Sequence, residues 1–174
     1  TPKKTIIPLL NEAAQKKCGG AVVFASGYSE TGEEGKAAQA ELVEEAERLG
    51  IAVMGPNCAG FSNFIDGVFA YAFLVEERDR SGNIGMVSQS GQIVLGALDS
   101  PSMGFSYAVS SGNSCNVKVE DYLDFLVDDP DTKVVSAYIE GITKPKQLTE
   151  TFRKAAVKKK PIVILKTGRS GKAQ

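Results

Sequence analysis

Residues 83–87 (Asn-Ile-Gly-Met-Val) form a short run without charge, broken by Ser88-Gln89-Ser90-Gly91 and followed by a second apolar stretch from Gln92 to Leu98. A run that short, bounded by turn residues, reads as a strand buried in a sheet. Ser-x-Ser-Gly then reads as a helix start: serine supplies capping oxygens and glycine tolerates a tight turn and a close approach. A strand that feeds a helix through so short a turn constrains the fold strongly. The helix must return onto its own sheet, and this restricts the chain to layered α/β architectures.

The same alternation continues in both directions. Ile6, Leu9, Leu10, Ala13 and Ala14 recur at helical spacing before Gly19-Gly20. Residues 21–25 (Ala-Val-Val-Phe-Ala) suit a strand covered on both faces. Residues 33–49, rich in Ala, Glu and Leu, read as a long helix stopped by Gly50. A strand follows at 51–54, broken by Gly55-Pro56-Asn57, and a further strand is expected at 69–75. The charged stretch 76–82 is the expected domain boundary. Beyond it the pattern gives strands at 83–87, 105–109, 134–139 and 162–165, with helices at 92–98, 119–126 and 146–157. This alternation implies a doubly wound parallel sheet.

The chain has 174 residues, 43% hydrophobic and 24% charged, with a net charge of −1. That balance gives no reason to expect nucleic acid or an anionic membrane as a partner, so an anionic ligand would be held by local geometry. Histidine is absent, which removes imidazole chemistry from these residues. Cys18, Cys58 and Cys115 lack metal-ligand spacing, so no metal site is expected and a reducing, cytoplasmic setting is. No apolar run approaches the ~18 residues of a membrane span, and no secretory signal is visible. The opening Thr1-Pro2-Lys3-Lys4 and the close at Gln174 read as the ends of a piece of a longer polypeptide.

Ligands of open α/β sheets gather beyond the carboxyl ends of the strands. Loops 26–30, 55–60, 88–91 and 110–116 and the pair Glu140-Gly141 lie there. The Ser88-Gln89-Ser90-Gly91 turn, with unpaired N–H groups at a helix start, suits an anion, or is simply a capping serine. Cys58 reads as a buried thiol, and Glu140 as a carboxylate at the sheet rim. Lys158-Lys159-Lys160 reads as a helix end complementing its dipole. Asp128, Asp129 and Asp131 read as an acidic helix end broken by Pro130.

Five segments resemble, in order, the NDP-forming acyl-CoA synthetases, the superfamily that includes the α subunit of succinyl-CoA synthetase. They are Gly55-Pro56-Asn57-Cys58-Ala59-Gly60, Gly85 through Gly91, Ser111-Gly112-Asn113 with Asp121-Tyr122-Leu123 and Asp129-Pro130-Asp131-Thr132, Tyr138-Ile139-Glu140-Gly141, and Pro161 through Ser170. The resemblance implies that residues 1–78 are the later part of a Rossmann-like CoA-binding domain. Residues 79–174 would be a flavodoxin-like CoA-ligase domain, ending before the family's phosphohistidine loop.

In such enzymes a carboxylic acid, CoA and ATP or GTP give acyl-CoA, NDP and phosphate by way of an acyl phosphate and a phosphohistidine. The nucleotide and Mg2+ sit on a separate ATP-grasp domain or subunit of an oligomeric enzyme. Carried over residue by residue, Ser88, Ser90 and Gly91 would bind the phosphoryl group, and Glu140 would orient the phosphohistidine. Ser26, Gly27, Tyr28, Asn57 and Cys58 would line the CoA site, and Gly112 and Asn113 the acyl pocket. Asn116 departs from the Asp of many relatives, and Pro101 implies a short helix after Gly91. The alternative within the same resemblance is a ligase-like module that binds ligands without ligation, as in fused protein lysine acetyltransferases.

Overall fold

The computed structural model describes residues 2–73 and 81–168. The first part is built by α1 (Ile6–Gln15), β1 (Gly20–Val22), α2 (Glu33–Leu49) and β2 (Ala52–Met54). β1 and β2 pair in parallel, with Gly20 opposite Ala52 and Val22 opposite Met54. The apolar spacing of α1 and α2 carries Ile6, Leu10, Leu42 and Ala46 into one cluster with Val23, Ile51 and Val53. Gly50 ends α2 in the left-handed region at φ 66°, its N–H reaching the carbonyls of Ala46 and Glu47, the arrangement for which glycine is favoured. The expectation of a strand covered on both faces over 21–25 holds only in part: Val23 is buried, whereas Phe24 is 45% exposed.

The second sheet has six strands. It contains β3 (Gly60–Asn63), β4 (Val68–Tyr71), β5 (Ser81–Ser88), β6 (Phe105–Ser110), β7 (Val134–Ile139) and β8 (Ile162–Lys166), in the order β4-β3-β6-β5-β7-β8. β5 to β8 run parallel. Their spatial order, second-first-third-fourth, is that of the flavodoxin-like doubly wound sheet.

The all-parallel expectation needs correcting at one edge. β3 pairs antiparallel with both β4 and β6. The β3–β4 pairing follows from a hairpin, where the Asn63 carboxamide oxygen accepts from the N–H groups of Ile65 and Asp66, both at 3.0 Å. An asparagine folded onto its own following backbone in this way initiates a turn. The strand expected at 69–75 appears as β4, with residues 74 and 75 outside the described residues. The sheet takes in chain on both sides of position 78. Most of the expected boundary at 76–82 also lies outside the described residues, and Ser81 and Gly82 open β5.

Helices cover both faces of the parallel strands. α3 (Gly91–Leu98) buries Val94 and Leu98 against Met86, Phe105 and Ala108. α4 (Val119–Asp128) and α5 (Pro145–Lys158) bury Leu123, Leu126, Leu148 and Ala155 against Val87, Val109, Val135 and Ala137. Met86/Val87 and Ala108/Val109 thus divide between the two faces, as the period-2 alternation of a strand requires. The order of strands reverses between β5 and β7. At such a switch point the loops leave in opposite directions and open a crevice beyond the strand ends.

Candidate active site

A cleft of about 710 Å³ opens at that crevice. Its wall includes Ser90 and Gly91 from the turn after β5, Glu140 and Gly141 from the end of β7, Asn57 and Cys58, and Gly112 and Asn113. Segments distant in sequence therefore converge on one space.

The turn after β5 is shaped from within. The Ser88 side chain is fully buried. Its hydroxyl accepts from the Ser90 N–H at 3.0 Å and donates to the Ser90 carbonyl at 2.7 Å. Ser88 thus sets the conformation of the turn and stands behind the cleft. Ser90 is the N-cap residue of α3, with an extended backbone, but its side chain makes no capping hydrogen bond. The capping role left open by the sequence is therefore not taken. The Ser90 hydroxyl and the first-turn N–H groups of α3 are left at the cleft, and the positive end of the helix dipole favours an anion there. Gly91 keeps the approach open, because a Cβ at this position would lie 3.1 Å from the Ala59 Cβ.

Glu140 is exposed. Its main chain is held on two sides: its N–H donates to the Gln89 side-chain oxygen at 2.5 Å, and its carbonyl accepts from Lys166 Nζ at 2.9 Å. Glu140 lines the cleft just beyond the end of a firmly paired strand.

The opposite wall comes from the loop after β2. Asn57 sits at φ 54°, with its N–H on the Ala25 carbonyl at 2.9 Å. Cys58 is 8% exposed. Burial pushes its thiol up to about 11, so at neutral pH it shapes the wall and does not act as a nucleophile. The Gly112–Asn113 turn packs directly on this loop. Gly112 has φ 56°, and a Cβ there would fall 2.4 Å from the Pro56 carbonyl oxygen, while Asn113 N–H donates to that oxygen at 2.9 Å.

Ser26, Gly27 and Tyr28 do not line this cleft. Tyr28 is 2% exposed, and Lys3 stands 5.3 Å from its ring centroid. Glu30 intervenes. One of its oxygens accepts from the N–H groups of Gly27 and Tyr28 at 2.6 and 3.2 Å, and the other from Asn113 Nδ2 at 2.5 Å. Burial would raise the Glu30 carboxyl, but hydrogen bonds from Asn113 and the backbone outweigh it and hold the group below the ordinary glutamate value. Glu30 is thus a fixed negative charge on the rim of the cleft.

Reading the sequence missed several residues of the wall. Phe24, Phe73, Gln89 and Gln92 all face the cleft. Gln89 occupied the variable place in Ser-x-Ser-Gly, where residue type carries no turn signal. Asn116 lies elsewhere: its side chain accepts from Val53 N–H and donates to the Ile51 carbonyl, each at 2.8 Å. It continues the hydrogen-bonding edge of β2 as a neighbouring strand would, a job that needs an amide with both donor and acceptor.

Residues 81–174 match the model of the succinyl-CoA ligase-like flavodoxin domain, more than half of the chain. The chain belongs to that family.

Relatives of this succinyl-CoA ligase-like chain extend over nearly all of it. A trans-feruloyl-CoA synthase from an unknown prokaryotic organism is 37% identical, over 99% of this chain and 25% of the relative. The α subunit of an ADP-forming acetate–CoA ligase II from Pyrococcus furiosus is 36% identical, over 97% and 37%. Among solved structures, a dinucleotide-forming acetyl-coenzyme A synthetase 1 from Ca. Korarchaeum cryptofilum, in complex with phosphate and ADP, superposes with a TM-score of 0.84. It is 28% identical over 99% of this chain and 37% of that one. The chain thus spans about a quarter to a third of the length of such proteins.

Proposed function

We propose that this chain is the acyl- and phosphoryl-handling part of an NDP-forming acyl-CoA ligase. Residues 1–78 would serve as the later part of a Rossmann-like CoA-binding domain and residues 79–174 as the flavodoxin-like ligase domain. The whole protein joins a carboxylic acid to CoA at the expense of ATP or GTP and releases NDP and phosphate. A phosphohistidine supplied from outside these residues gives its phosphoryl group to the acid. The CoA thiol then attacks the acyl phosphate at its carbonyl carbon, and phosphate leaves.

The observation that carries this reading is the meeting of an open helix N-terminus and a presented carboxylate across one cleft. The cradle at Ser90 and Gly91 neutralises the phosphoryl oxygens with N–H groups and a helix dipole, which needs no cation. Glu140 orients an imidazole that enters the cleft and balances the charge it carries while phosphorylated. The Asn57–Cys58 loop and the Gly112–Asn113 turn form the far wall, where thioester and acyl groups meet. Gly27 and Tyr28 hold Glu30 through their N–H groups, and together with Ser26 they shape the CoA side from behind.

Among the described residues no group of three or more His, Cys, Asp or Glu is placed to hold a metal. The nucleotide and its Mg2+ belong with an ATP-grasp domain or subunit, the partner that completes the oligomeric enzyme. No described helix is long and apolar enough to cross a membrane, and work in the cytoplasm fits the free thiols.

The test is thioester formation by the full-length protein across a panel of carboxylic acids. Glu140→Gln is expected to lower turnover by about 10²-fold with little effect on the KM for CoA. A Glu140→Gln enzyme that turns over at the parent rate contradicts the assignment.

A further inference from the structure

The parallel ladder of β7 ends on both sides just before the cleft. Its pairing with β5 runs to Ser88 opposite Tyr138, and its pairing with β8 to Ile139 opposite Lys166. Beyond Ser88 the chain turns away into α3. The N–H groups of Glu140 and Gly141 would then lack partners on the β5 side.

Gln89 replaces the departed strand. Its own N–H donates to the Tyr138 carbonyl at 3.1 Å. Its side-chain oxygen accepts from both Glu140 N–H, at 2.5 Å, and Gly141 N–H, at 2.9 Å. Both partners are donors, so the amide oxygen must face them. One residue therefore ties the turn that forms the phosphoryl cradle to the loop that carries the carboxylate.

We propose that Gln89 is a positioning residue that fixes Glu140 relative to the Ser90–Gly91 cradle; its catalytic consequence rests on the proposed ligase reading. The reacting phosphoryl group sits between two structures that belong to different strands. Without the Gln89 carboxamide the Glu140 and Gly141 N–H groups lose this acceptor, and the loop keeps Lys166 on the Glu140 carbonyl and Glu120 on the Thr143 and Lys144 N–H groups, neither of which ties it to the cradle. A displacement of about 1 Å between a reacting group and its partner costs on the order of 10²-fold in rate. Glutamate is long enough and keeps an acceptor for both N–H groups, whereas leucine keeps the bulk and loses the acceptor.

The experiment uses the full-length enzyme with Gln89→Leu and Gln89→Glu. Two quantities are read: single-turnover phosphoryl transfer from the phosphohistidine to a carboxylic acid, and hydrogen exchange of the peptide spanning residues 139–143. The leucine variant is expected to transfer about 10²-fold more slowly, with the KM for CoA unchanged and the 139–143 amides exchanging faster. The glutamate variant is expected to keep amide protection and recover part of the lost rate. A leucine variant with parental transfer overturns the proposal, and so does one with parental amide exchange. If the parent protein forms no phosphohistidine, the ligase reading fails; the exchange measurement then judges the tether alone, faster exchange in the leucine variant upholding it and unchanged exchange overturning it.

Discussion

Gly112 shows how tightly single residues set the geometry of the cleft. A methyl group there meets two carbonyl oxygens of the facing loop, at 2.4 Å from Pro56 and 2.6 Å from Asn57, in a backbone with φ 56°. Neither oxygen belongs to a flexible side chain, so Gly112→Ala must push the two walls apart. It is expected to destabilise the protein by about 2–4 kcal/mol in a denaturant titration. The cysteines give a second residue-scale prediction. Burial pushes both Cys58 and Cys115 up to about 11, leaving roughly one thiol in a thousand ionised at pH 8. Cys18 is exposed. Brief treatment of the folded protein with iodoacetamide at pH 8 is expected to label Cys18 alone, with Cys58 and Cys115 reacting only after denaturation. At this scale the sequence was readable where neighbours in the chain decide the outcome, as for the helix start at Gly91. It was silent for Gln89, whose partners are 51 and 52 residues away, and for Asn116, whose partners are 63 and 65 away.

The loop bearing Glu140 is also supported from its far end. Glu120, in the first turn of α4, is fully buried. Its carboxylate accepts from the N–H groups of Thr143 and Lys144 at 2.7 and 2.8 Å. α5 has no capping side chain of its own, and its first position is proline. Glu120 therefore serves as a cap supplied by a neighbouring helix. Glu120→Ala leaves two N–H groups without a partner and is expected to cost about 1–3 kcal/mol, measured as a shift in the unfolding midpoint.

α4 and α5 are joined at their other ends by ion pairs. Asp128 contacts Lys154 at 2.7 Å and Lys158 at 2.5 Å. Hydrogen bonds from these lysines hold its carboxyl down to about 2. The native value lies below the ordinary carboxylate value. The stabilisation is therefore complete above about pH 4 and is lost as pH falls through about 2. Carboxyl-carbon NMR is expected to place the Asp128 midpoint near 2 and to find it higher in Lys154→Met. β3 was the element least legible beforehand: its Gly-Phe-Ser-Asn segment carries little strand propensity, and one of its two partners, β6, lies far along the chain.

For the whole molecule, the alternation of strands and helices was enough to announce a doubly wound sheet, because short apolar runs and capped helices are local signals. Strand order was not readable from periodicity, since it depends on which edges meet. Yet strand order builds the cleft: it places the reversal between β5 and β7, and so brings the Ser90–Gly91 turn and Glu140 to one space. The most direct test is to incubate the full-length protein with γ-phosphate-labelled ATP, Mg2+, CoA and a turned-over acid, and to identify both products and labelled protein. ADP, phosphate and acyl-CoA are expected, with an acid-labile phosphohistidine on the enzyme. Release of AMP and pyrophosphate, with no labelled protein, would contradict the ligase reading.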